Sequence, residues 1–101
     1  MFGEKERTPD GDASLVPRIS EFYGIVIAMY YAEHGVPHFH ALYAGEEASV
    51  AIETLEVLAG SLPDRALRLV REWATHHQPE LEADWQRARD GEPLERIPPL
   101  P

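Results

Sequence analysis

The alternation of apolar and polar side chains between Ile25 and Ile52 constrains this chain more than any other feature. Phe39, Ala41 and Tyr43 alternate with His38, His40 and Leu42, and beyond a turn at 44–47 the residues Ala48, Val50 and Ile52 alternate with Ser49 and Ala51. A period of two marks strands, because successive side chains leave a strand on opposite faces. Upstream, Ile25, Ile27 and Met29 share one face, and Val26, Ala28 and Tyr30 share the other. They belong to a β-branched and aromatic run from Arg18 to Tyr31 that reads as one or two strands, with Gly24 at a bulge or bend. Setting Tyr43 opposite Ala48, Ala41 opposite Val50 and Phe39 opposite Ile52 builds one apolar face. Pairing Ile25 with Tyr43, Ile27 with Ala41 and Met29 with Phe39 extends it. A slip of one residue would mix polar and core positions. Leu55 to Leu58 adds a short fourth strand.

The second half of the chain is helical. Leu62, Ala66, Leu69, Val70, Trp73 and His77 recur at helical spacing. Ser61 stands as N-cap, with Pro63 early in the helix and Asp64 in its first turn. Pro79 opens a second helix whose stripe is Leu81, Trp85 and Ala88. Its first turns carry Glu80, Glu82 and Asp84, its last turn carries Arg87 and Arg89, and Gly91 ends it. The expected fold is therefore α+β. A three- to four-stranded antiparallel sheet over about residues 19–58 is covered on one face by helices over about 62–77 and 79–90. Residues 1–17 read as a disordered leader, 18–97 as a single domain, and 98–101 as a flexible tail.

With 101 residues and no cysteine, the chain has neither a disulfide framework nor a thiolate metal site. The formal net charge is −9, most of it in the first 62 residues. Nucleic-acid binding rests on Lys and Arg at phosphates, so this balance argues against direct contact with DNA or RNA. It favours a protein partner with a basic surface. A helix-turn-helix reading of the last two helices fails for the same reason, since three acids sit where base edges would be met. No apolar run approaches the ~20 residues of a membrane span, and no signal peptide is visible, so the expected location is cytoplasmic.

Facing Phe39, Ala41 and Tyr43 toward the core turns His38 and His40 outward. In the register above, His38 meets Tyr30 on one side and Glu53 on the other, and His34 lies in the adjoining loop. Three readings of this group remain open. His34, His38 and His40 could hold a divalent metal such as zinc or manganese. Glu53 and Tyr30 could serve as catalytic acid–base groups beside the imidazoles. Alternatively, the histidines fasten the hairpin. His76 and His77 suit a helix end, and Trp73 and Trp85 suit the core.

The run Ile19-Ser20, Phe22 to Ile27, Met29-Tyr30-Tyr31, His34, Pro37-His38-Phe39-His40-Ala41 and Tyr43 resembles a bacterial family of domains of unknown function. The run from Leu55 to Pro63, with Trp73 and Trp85, is similar to the same family. Its signature is His-x-Pro-Pro-His-Phe-His. Here Val36 replaces the first proline, and Glu33 stands where members usually carry Asp. The resemblance implies a small protein that works through a protein partner encoded nearby, as a toxin–antitoxin or transcription-related component. It implies no catalytic residue. A metal-dependent hydrolase or nuclease and a DNA-associated regulator are the alternative readings.

Overall fold

The structure, a computed structural model, describes residues 17–101. The leader expected over residues 1–17 falls almost wholly outside them. Five strands, β1 (Arg18–Phe22), β2 (Ile25–Ala28), β3 (His38–Tyr43), β4 (Glu46–Ala51) and β5 (Val57–Gly60), precede helices α1 (Asp64–Thr75) and α2 (Gln78–Arg89). The strands form one antiparallel sheet in the order β1-β2-β3-β4-β5. The α+β class stands, but the described residues form five strands rather than three or four. The Arg18–Tyr31 run splits in two at Tyr23-Gly24, where both residues have positive φ, 50° and 79°. Two successive positive φ values match the type I′ turn, which continues the natural twist of a hairpin.

The same turn chemistry corrects the expected register. Ala44 and Gly45 also have positive φ, 52° and 82°, and Tyr43 pairs directly with Glu46. The turn holds two residues, not four. Phe39 therefore pairs with Val50 and Ala41 with Ala48, two positions from the expected partners. A slip of two preserves the faces and changes every cross-strand neighbour. His38 consequently lies opposite Ala51, and Glu53 lies beyond the end of β4. In β2 and β3 the pairing of Ile27 with Ala41 is as expected.

The apolar face carries the core. Ile25, Ile27, Phe39, Ala41, Val50 and Ile52 pack with Ala66, Val70, Trp73, Leu81 and Trp85 of the two helices. Trp73 is fully buried and touches Phe22 and Phe39, with ring centroids 5.4 and 6.0 Å apart. Ser61 does not cap α1. Pro63 occupies the N-cap without a side-chain hydrogen bond, and Asp64 provides the acid of the first turn. Gly91 (φ 72°) ends α2 in a Schellman arrangement: its N–H donates to Ala88 and that of Glu92 donates to Arg87. Gln78 Nε2 donates to the Ile52 carbonyl at 2.7 Å, tying the start of α2 to the end of β4. None of the described helices is long and apolar enough to cross a membrane.

Candidate metal centre

Residues 29–37 connect β2 to β3 and fold over the outer face of the sheet. Ala32 takes φ 62°, a conformation costly for a residue with a Cβ. It turns the chain so that the next residue, Glu33, reaches the histidines. Glu33 Oε1 lies 2.9 Å from His38 Nε2 and 2.8 Å from His40 Nε2. One ligand atom from each of Glu33, His38 and His40 lies within 4.8 Å of the other two. The opposite ring nitrogens are also engaged. His38 Nδ1 donates to the Val36 carbonyl at 2.7 Å, and His40 Nδ1 donates to Glu47 Oε2 at 2.8 Å.

The sequence places each ring. Strand alternation puts His38 and His40 on the side opposite Phe39 and Ala41, the latter two fully buried. Small neighbours, Ala28 on β2 and Ser49 on β4, flank His40 and leave room for its imidazole. Glu47 pairs with Leu42, so it reaches His40 diagonally across the hairpin. The Tyr30 ring covers His40 at a centroid distance of 4.4 Å, and Trp85 of α2 flanks His38 at 5.2 Å. His40 is left only 7% exposed.

These contacts set the electrostatics. Burial alone would raise the Glu33 carboxyl, but the hydrogen bonds and charges of His40 and His38 outweigh it and hold the group below its ordinary range. Burial raises the Tyr30 phenol above its usual value, and the nearby Glu47 and Glu33 carboxylates push it the same way. Tyr30 is therefore a neutral donor at any ordinary pH.

Of the residues expected at the site, the structure brings His38, His40 and Tyr30 together. His34 is exposed and lies outside the Glu33–His38–His40 group. Glu53 is exposed in the turn after β4, where its carbonyl receives a hydrogen bond from Gln78. Sequence reasoning missed the carboxylates Glu33 and Glu47. The signal for Glu33 was its place in the family signature, where an acid precedes the first histidine. The signal for Glu47 was the Ala44-Gly45 pair, which shortens the turn and carries Glu47 onto the histidine face.

No curated protein and no solved structure matches the chain. One family model does match, over residues 24–86, a span that includes Glu33, His38, His40 and Glu47. The chain belongs to the family described as a domain of unknown function, DUF4160.

Proposed function

We propose that this protein binds one divalent metal ion through Glu33, His38 and His40 and uses it for hydrolytic chemistry. One observation carries the reading. His38 spends its Nδ1 proton on a carbonyl that can only accept, and both nitrogens of His40 face carboxylates. Both Nε2 atoms then face the same oxygen of Glu33. Two neutral rings carry two N–H groups for these four contacts to oxygen, so two ring lone pairs face oxygen atoms. A cation shared among the three atoms relieves that conflict, either as protons on the rings or as one metal ion.

The donor set fits a metal. Two imidazoles and one carboxylate, with no thiolate, suit zinc, manganese or ferrous iron and leave coordination positions open. The outward hydrogen bonds to Val36 and Glu47 are the kind that fix ring orientation and tautomer at metal sites. Bonds of about 2.1 Å place tetrahedral donors about 3.4 Å apart, so the present contacts need to open by roughly 0.5 Å. Glu33 is on a loop and can move that far. A bound ion would supply an activated water, and the neutral Tyr30 phenol beside His40 would serve as proton donor. A nuclease is one form such a hydrolase can take, though the −9 charge disfavours a polyanionic substrate.

The test uses protein without a polyhistidine tag, stripped with chelator and titrated with zinc and with manganese by calorimetry. One ion per chain is expected, with binding lost in His38→Ala and His40→Ala. Absence of binding at millimolar ion overturns the reading.

A protein partner is the second reading, and a toxin–antitoxin component is its specific form. The observation favouring it is β5, an edge strand with Leu58 45% exposed, whose outer side pairs with no strand among the described residues and could accept a further one. Co-expression with the neighbouring gene product and size-exclusion chromatography checks it; independent elution at micromolar concentration refutes it.

A further inference from the structure

The segment Ile97–Pro101, Ile-Pro-Pro-Leu-Pro, lies outside the span matched by the family model, and the body of the protein holds it as it would a ligand. Ile97 is buried, and its N–H donates to the Ile19 carbonyl at 2.7 Å along the edge of β1. The indole N–H of Trp73 donates to the Pro98 carbonyl at 2.8 Å, and the Tyr23 hydroxyl donates to the Pro101 carbonyl. Trp73 is fully buried, so its N–H needs an acceptor inside the protein. That acceptor comes from the tail.

Three prolines in five residues fix φ near −65° and supply carbonyls without N–H groups. Aromatic donors that receive such carbonyls between apolar walls are the usual means of recognising a polyproline helix. Among the described residues, the tail does not fill its groove. A cavity of about 380 Å³ lies on one side of Leu100, beside Tyr23, Arg65 and Leu69, and one of about 320 Å³ lies on the other, beside Trp73 and His76. Residues 91–96, between the end of α2 and Ile97, form no helix or strand. Exchange of an identical segment between two copies through such a connection re-forms the same contacts.

We propose that the groove lined by Tyr23, Leu69, Trp73 and His76 is a polyproline-binding site, filled by the chain's own residues 97–101 and able to take the same segment from a second copy of the chain. It is independent of the metal centre.

The probe is a fluorescein-labelled peptide of residues 92–101, followed by anisotropy against the full chain. The resident tail competes at an effective concentration on the order of millimolar, so the unmodified protein binds the peptide weakly. Ile97→Asp expels the tail, and binding tightens at least tenfold. Adding Trp73→Phe, which keeps an aromatic ring but removes the donor, abolishes that gain. A peptide with alanine in place of Pro98 and Pro99 binds at least tenfold more weakly. Circular dichroism verifies folding. If Ile97→Asp does not fold, the double variant Pro98→Gly with Pro99→Gly, which leaves Ile97 in place, takes the same measurement. A folded variant that ignores the peptide at millimolar concentration, or that binds the proline and alanine peptides alike, overturns the proposal. So does a variant that prefers a plain proline decamer to the tail peptide.

Discussion

Glu47 offers the sharpest test of the metal centre, because it is not one of the three proposed ligands and its side-chain hydrogen bond is to His40. Its carboxylate accepts the His40 Nδ1 proton at 2.8 Å, while its side chain stays 45% exposed. Loss of such an outer partner weakens metal binding by roughly 10–100-fold. Half-exposure places Glu47 at the low end, since water replaces part of what the carboxylate supplies. Glu47→Ala should therefore cost about tenfold in zinc affinity, or about 1.4 kcal/mol. Glu47→Gln, whose amide oxygen still accepts from Nδ1, should cost less. A protein saturated at 100 times its Kd gains about 2.7 kcal/mol of stability, and tenfold weaker binding at the same zinc concentration leaves about 1.4 kcal/mol. For a domain of this size each kcal/mol is worth about 4–8 °C in Tm. The zinc-induced rise in Tm should thus fall by about half in Glu47→Ala, while the metal-free Tm moves little. Differential scanning fluorimetry with and without zinc measures both. An unchanged zinc increment together with a lower metal-free Tm would make Glu47 a hairpin fastener and refute the argument.

Three other outcomes follow from the same geometry. In chelator-treated protein, the Glu33 carboxyl is held below its ordinary range, so it stabilises the fold above the unfolded value of about 4.3, and that contribution is lost as the pH falls through the folded value. Glu33→Gln should flatten the acid limb of a plot of urea midpoint against pH and leave the neutral limb parallel; an unchanged acid limb contradicts the assignment. Trp73→Ala empties the centre of the core and should cost about 3–5 kcal/mol in urea denaturation. A loss below about 1 kcal/mol would mean that the helices rest on the sheet through other contacts. Gly60→Ala should unfold the β4–β5 pair or the whole domain. A Cβ there would sit 2.1 Å from the Glu47 carbonyl oxygen, at φ +76°, and a Tm within a few degrees of the parent would show that β5 can move aside.

The faces of the sheet were legible in the sequence because apolar alternation is enforced by burial: Phe39, Ala41 and Val50 have nowhere else to go. Partners along the strands were not, because a slip of two residues costs the apolar face nothing. What selects between registers is the turn, and Ala44-Gly45 gives a weaker signal than Asn-Gly, since alanine rarely adopts positive φ. The histidines were legible for the first reason and their acids hidden for the second. With a four-residue turn, Glu53 meets His38. With the two-residue turn, Ala51 does, and Glu47 comes within reach of His40. Glu33 was hidden differently, since a loop residue has no periodicity and the left-handed conformation of Ala32 before it has no sequence signal. Such a conformation persists only where surrounding contacts outweigh its cost. Among the described residues, the side-chain hydrogen bonds of Glu33 are to the two imidazoles alone. The strain at Ala32 and the convergence of three ligand atoms therefore meet at one carboxylate, the arrangement that the proposed metal site would use.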